Sequence, residues 1–252
     1  MSDALLQVKH LKKSYGGAAV LKDISLDVHP GEVIVIVGPS GCGKSTLLRC
    51  LTGLEKIQGG EIWFKGERIS GQKTDWQKIR QQIGMVFQSY DLFSNMTVLQ
   101  NMILGPTKVQ KRPKREAVAE AEKLLDRVGL LDKKNAFPRE LSGGQKQRAA
   151  IMRALILKPE MILFDEVTAA LDPEMVREVL DVILKLAKSG STMVIVTHEM
   201  QFARAVADRI VFLDGGEVVE TSAPEQFFTN PKTERAKKFL NIFQFEQRKE
   251  DL

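Results

Sequence analysis

Apolar and polar residues alternate through the first thirty positions. Leu6, Val8 and Leu11 are followed by Val20, Leu21, Ile24, Leu26 and Val28, with Gly16-Gly17 between the two runs. Period-two alternation broken by paired glycines predicts antiparallel strands joined by a turn. After Pro30-Gly31 the pattern changes: Val33–Val37 is an unbroken β-branched run, the pattern of a parallel strand covered on both faces. Residues 60–69 predict a further strand-turn-strand passage and residues 84–87 a short strand. From position 98 to 157 the period turns helical. There EAVAEAEKLLDRVGL places Val118, Ala121, Leu124, Leu125 and Val128 on one face, and Gly129 supplies the stop. Beyond Pro159, buried-strand runs at 161–164 and 192–196 flank an amphipathic helix at 174–188. Asp214-Gly215-Gly216 then closes a tight hairpin between 211–213 and 217–220. The pattern predicts an α/β core with a helical lobe inserted at about residues 90–155, and no internal repeat or low-complexity linker.

Composition narrows the setting. A chain of 252 residues, 43% hydrophobic and 27% charged, is ordinary for a globular protein with one large domain. The run Val33–Val37 falls far short of the roughly 20 apolar residues of a membrane span, and MSDALLQVKH shows no secretory leader. Work at a membrane would therefore be done from its surface, through a partner. Cys42 and Cys50 are too few for a structural zinc site. Net charge is +5, and the densest basic cluster (Lys108, Lys111, Arg112, Lys114, Arg115) carries no interleaved aromatics. It reads as a solvated helix start, and no nucleic-acid partner is expected.

The candidate chemistry begins with GPSGCGKST, which matches G-x-x-x-x-G-K-[ST] between a predicted strand and helix. Gly38, Pro39, Ser40, Gly41, Cys42 and Gly43 form a loop whose N–H groups can point into one hollow at a helix start. Lys44 would reach the β/γ-phosphates of a bound nucleotide, Ser45 would ligate Mg²⁺ and Thr46 offers a further hydroxyl. Cys42, placed at a helix start beside Lys44, is expected to favour thiolate. MILFDE ends a buried strand in two carboxylates: Asp165 would hold Mg²⁺ and Glu166 would act as general base on an attacking water. His198 follows TMVIVT at the same expected sheet edge and could donate to the γ-phosphate. Ser142, Gly143 and Gly144 open a second helix and make a second anion-seeking N-terminus. With a single phosphate loop in the chain, a C2 dimer in which this end faces the other copy's nucleotide is the economical arrangement.

LSGGQ, residues 141–145, resembles the signature of the ABC ATPase family, and the order and spacing of the motifs match that family over essentially the whole chain. The resemblance implies one ABC ATPase domain over 1–252. Its nucleotide-binding core, a mainly parallel P-loop NTPase sheet with an N-terminal antiparallel β subdomain, would span 1–89 and 156–252, with the helical subdomain inserted at 90–155. It implies that Tyr15 stacks on adenine, that Gln88 senses Mg²⁺ and the attacking water, that Gln145 completes the signature, that Asp172 lies at the dimer interface and that His198 is the switch histidine. A homodimer would hold two ATP head to tail, and residues 89–93 would receive a helix of an integral membrane permease.

SGCGKSTLLRCLTGLE, DEVTAALDPEMVREVL, VTHEMQFARAVADRIVFLDGGEVVE and the tail, with Phe239, Leu240 and Phe243 on one helical face, are similar to the bacterial polar amino-acid uptake group. That likeness implies an importer ATPase at the cytoplasmic face of the cell membrane, served indirectly by a solute-binding protein. Val167 and Ala169 stand where the family commonly has Pro and Ser; both leave the carboxylates in place. An exporter cassette and a soluble ABC ATPase remain as alternatives, while a P-loop GTPase is disfavoured because no Asn-Lys-x-Asp appears.

Overall fold

The computed structural model describes residues 4–247, folded as two compact units. One runs from the start to Trp76 and from Gly190 onward, and the other from Gln77 to Ser189.

The first unit opens with β1 (Leu6–Tyr15) and β2 (Ala18–Val28), paired antiparallel from Leu6↔Val28 to Tyr15↔Ala18. The strands turn at Gly16-Gly17, both at positive φ. Register shifts between Val8 and Lys13 interrupt the strict alternation. All five residues of β3 (Val33–Val37) are buried. Such a run contributes on the order of 1.5–3 kcal/mol for each Val or Ile taken from water. α1 (Lys44–Leu51) follows the glycine loop and buries Leu47, Leu48 and Leu51. β4 (Gly59–Phe64) pairs antiparallel with β1 and with the two-residue β5 (Glu67–Arg68).

The second unit begins within α2 (Trp76–Gln82), a helix which the period of the sequence does not announce, and continues with β6 (Ile83–Val86). α3 (Val98–Lys108) starts on a capping box in which Thr97 and Gln100 satisfy each other's backbone N–H groups. α4 (Lys114–Arg127) buries Ala117, Ala121 and Leu125, whereas Val118, Leu124 and Val128 are half-buried. The buried stripe is thus rotated toward Ala117, because small residues let α4 pack closely on α3. Gly129 at φ 67 ends the helix, as its position predicts. Of the basic cluster, Lys108, Lys111, Lys114 and Arg115 are exposed, while Arg112 is mostly covered and ion-paired with Glu116 and Glu120. α5 (Gly143–Leu155) leads to β7 (Met161–Asp165), parallel to β6 from Ile83↔Met161 to Val86↔Phe164. α6 (Pro173–Lys188) starts with proline at its first position and buries Val179, Val182 and Ile183.

The chain then completes the first unit with β8 (Met193–Val196), α7 (Met200–Val206), β9 (Arg209–Asp214), β10 (Glu217–Ser222), α8 (Pro224–Thr229) and α9 (Glu234–Gln247). β3 lies between β8 and β9, parallel to both, and β9 and β10 form the expected hairpin. Phe239 and Leu240 are buried, and the Phe239 ring stacks tilted on Phe212 at 5.0 Å; the Phe243 side chain lies outside the described residues.

Glu220 ties this C-terminal part to the sheet. It is 5% exposed and accepts from the N–H of Lys232 and of Thr233, each at 3.0 Å, and from the hydroxyls of Ser222 and Thr233. Burial alone would raise its pKa, but these donors hold it below the ordinary carboxylate value. As pH falls, the unfolded chain takes up this proton first. The stabilisation is therefore complete above the ordinary carboxylate range and is lost as pH drops through the depressed folded value. Glu220→Gln is expected to cost about 1–3 kcal/mol near neutral pH and to flatten the acid limb of stability. Urea melts between pH 7 and pH 3 check this; an acid limb parallel to wild type would refute it.

Candidate functional site

In the first unit the register brings Ile36 beside Val196 and Val37 beside Phe212. The glycine loop and His198 therefore leave the carboxyl ends of neighbouring parallel strands, where α/β sheets bind ligands. The loop's shape depends on two glycines. At Gly38, φ is +155 and a Cβ would stand 2.0 Å from the Leu213 carbonyl oxygen. At Gly43, which caps α1 at φ +105, a Cβ would meet Leu21 at 2.6 Å. Lys44 is 4% exposed, and its ammonium donates to the carbonyls of Gly38 at 2.9 Å and Pro39 at 3.0 Å. The charge thus lies inside the turn, next to the hollow the loop encloses. Ser45 and Thr46 are half-buried in the first turn of α1, and His198 is exposed.

Cys42 departs from expectation. It is 6% exposed, and burial pushes its thiol up despite the opposing pull of Lys44. Desolvation of the thiolate outweighs the helix terminus and the lysine, so Cys42 is held as a thiol. Cys50 is pushed up to about 12, also by burial.

In the second unit β6 and β7 run parallel with Val86 opposite Phe164, so Gln88 and the pair Asp165-Glu166 leave adjacent strand ends. Asp165 is 5% exposed. Glu166 is half-buried and sits at φ 47, a left-handed conformation that costs a non-glycine residue on the order of 1 kcal/mol or more. Gln88 and Asp172 are exposed, Asp172 as the residue that precedes α6. Among the described residues no group of three or more His, Cys, Asp or Glu side chains could hold a metal. The carboxylate of buried Asp165 is a hard oxygen donor of the kind that suits Mg²⁺.

The signature segment is a tight helix start. Ser142 Oγ accepts from the Gln145 N–H at 3.2 Å, and Gln145 Oε1 accepts from the Ser142 N–H at 3.0 Å. Gly144 N–H reaches Met175 Sδ at 3.4 Å, and a Cβ on Gly143 would fall 2.8 Å from Leu171 and 3.1 Å from the Tyr90 hydroxyl. The cap uses a lone pair of Ser142 and leaves its O–H able to donate.

The ABC transporter family profile matches residues 21–169. This chain belongs to the ABC transporter family. It is 54% identical to the glutamine transport ATP-binding protein GlnQ of Geobacillus stearothermophilus, over 94% of this chain and 98% of that protein. It is 53% identical, with the same coverages, to the arginine transport ATP-binding protein ArtM of Bacillus subtilis (strain 168). A solved ATP-binding cassette, in a dimeric post-hydrolysis state with ADP and Pi, matches at TM-score 0.79 and 35% identity, over 87% of this chain and 98% of that one. The α/β cassette fold expected from the motifs is the one these relatives share. Among the described residues no helix is long and apolar enough to cross a membrane.

Within each unit of this ABC transporter family member, side chains that the motifs do not announce brace the motif segments. Gln147, fully buried, donates to the Phe87 carbonyl at 3.2 Å, and Arg153 donates to the carbonyls of Asp91 at 2.5 Å and Tyr90 at 3.4 Å. Together they clamp the residues on either side of Gln88 onto α5, Phe87 before it and, after it, Tyr90 and Asp91, which have positive φ. Their partners lie 60 or more residues away, beyond any local pattern. Lys13 is buried beside Tyr15, and the one trace of this in the sequence is its place two residues after Leu11, on the inward face of β1.

Proposed function

We propose that this chain is the ATP-hydrolysing subunit of an importer that energises uptake of polar amino acids through a separate membrane permease. The observation that carries the reading is the 38–46 loop, folded around Lys44 at the head of α1 and behind a fully buried strand. Lys44 would exchange the Gly38 and Pro39 carbonyls for the β/γ-phosphates, with Pro39, Ser40, Gly41 and Cys42 shaping the loop and Thr46 adding a hydroxyl. Tyr15 would stack on adenine. Ser45, Asp165 and Gln88 would hold Mg²⁺, which when bound neutralises charge on the β- and γ-oxygens. Glu166 would take a proton from the attacking water, and His198 would donate to the γ-phosphate.

We read the chain as one domain over 1–252, with the signature-bearing helical lobe 90–155 inserted into the core formed by 1–89 and 156–252. Two copies would pair head to tail around two ATP, the N-terminus of α5 facing the other copy's γ-phosphate and Asp172 lining the seam. The capped start of α5, and the dimeric state of a similar cassette, support that pairing. Docking to a permease is supported by a groove of about 550 Å³ on α3, lined by Met96, Ile103, Leu104, Lys108 and Lys114 among others. Asn101, 1% exposed, joins the wall to residues 93–97 through bonds to the backbone of Phe93, Met96 and Thr97. Phe93 itself stands 50% exposed at that end. The names of the relatives support polar amino acids as the cargo; on this reading the chain would work at the cytoplasmic face of the membrane and be served indirectly by a solute-binding protein.

Tagged protein purified from detergent-solubilised membranes of its source is expected to bring down a small polytopic membrane protein, identified by mass spectrometry, and to lose it when Phe93 is changed to Asp. Recovery of DNA-repair or ribosomal proteins alone would overturn the transport reading and leave the ATPase chemistry standing.

A further inference from the structure

Lysine is almost never fully buried unless its charge is paired. Lys13 is 4% exposed, and three partners converge on its ammonium. Glu55 Oε2 lies at 2.9 Å, the Lys56 carbonyl accepts at 2.9 Å, and the centroid of the Tyr15 ring lies 4.4 Å away. Burial would lower the lysine's pKa, but the hydrogen bond and charge of Glu55 more than offset it, so the cation is secure at neutral pH. Glu55 and Lys56 follow the end of α1, the helix whose first turn carries Lys44, Ser45 and Thr46. Burial, with the neighbouring Glu55 carboxylate, holds the Tyr15 phenol above its ordinary pKa. With the cation over one face of its ring, Tyr15 is still 43% exposed.

We propose that Lys13, held by Glu55 and the Lys56 carbonyl, is a positioning residue that presents the outer face of Tyr15 to the adenine of the nucleotide. The inference rests on the reading of Tyr15 as the base-stacking aromatic. A cation–π contact fixes the plane of the ring by drawing on its negative face. The same cation pulls π density inward, which lessens the repulsion that a second π system meets on the outer face. Because both anchors of the ammonium belong to the segment after α1, the ring is held in a fixed relation to the helix that carries the phosphate loop. Base and phosphates are thereby received at a set spacing. The contribution is specific to the base and leaves the triphosphate contacts alone.

The test compares ATP with tripolyphosphate, which has no base, by calorimetry in the presence of a chelator that prevents turnover. Lys13→Met is expected to weaken ATP by about 3- to 30-fold, the span of a partly to fully desolvated cation–π contact, while tripolyphosphate binding stays at wild-type strength. In a Tyr15→Leu background, Lys13→Met is expected to change nothing further. Should Lys13→Met fold poorly because Glu55 loses its partner, Lys13→Met combined with Glu55→Gln carries the same expectations. Equal loss of ATP and tripolyphosphate, or undiminished loss of ATP in the Tyr15→Leu background, would mean that Lys13 supports the loop and not the ring, and would overturn the proposal. So would unchanged ATP affinity in Lys13→Met alongside a base-specific loss in Tyr15→Leu, which leaves stacking intact. If Tyr15→Leu itself binds ATP as wild type does, the stacking reading fails and the role of Lys13 falls with it.

Discussion

Glu166→Gln is expected to lower steady-state ATP turnover by roughly 10²–10⁴-fold, the range of a lost general base, while ATP binding stays intact. Glutamine keeps the size of the side chain and tolerates φ 47 about as well as glutamate, so the backbone at the end of β7 gains no new strain. What is lost is the carboxylate that would take a proton from the attacking water. Asp165, buried one residue earlier, keeps its own carboxylate, so the group proposed to hold the metal is unchanged. Phosphate release measured against nucleotide affinity separates the two effects. Hydrolysis at the wild-type rate would end the assignment of Glu166 as base, and parallel loss of binding would place Glu166 in ligand capture.

The second large effect concerns pairing. Ser142→Arg is expected to abolish ATP-dependent dimerisation while each copy still binds ATP, because the phosphate loop is built from other residues. Arginine also removes the cap on Gln145, at a cost of about 1 kcal/mol to α5. Ser142→Asp removes that ambiguity. Aspartate caps a helix as well as serine does, yet sets a negative charge where the other copy's γ-phosphate is to arrive. Both variants are therefore expected to stay monomeric with ATP in the Glu166→Gln background, which prevents loss of the dimer through hydrolysis. Gel filtration with light scattering reads the outcome. A dimer of wild-type strength in Ser142→Asp would refute the arrangement in which the signature faces the partner's nucleotide.

The sequence by itself determined the parts whose chemistry is local. GPSGCGKST needs only its own glycines and the helix behind it to form a phosphate loop, so strand, loop and helix were legible together. MILFDE and LSGGQ are likewise contiguous: five residues of strand ending in a carboxylate, and a serine whose capping partner lies three residues on. Buried strands such as Val33–Val37 announce themselves because a parallel strand covered on both faces must be apolar throughout.

The tertiary structure decided what depends on burial and on partners far along the chain. Cys42 stands at a helix start beside a lysine, which locally favours thiolate, but the packed loop removes the water a thiolate requires. Lys13 reads as one more surface lysine until the fold brings Glu55 and Lys56 to it. Gln147 and Arg153 acquire their roles only when Phe87, Tyr90 and Asp91 are folded against α5. The helical period marks residues 98–157; that a compact unit runs from Gln77 to Ser189 follows from the pairing of β6 with β7 and the packing of α6 on α5. Periodicity reports which face of a segment is apolar; which residue will meet it, and whether water is left between them, depends on contacts that sequence order does not contain.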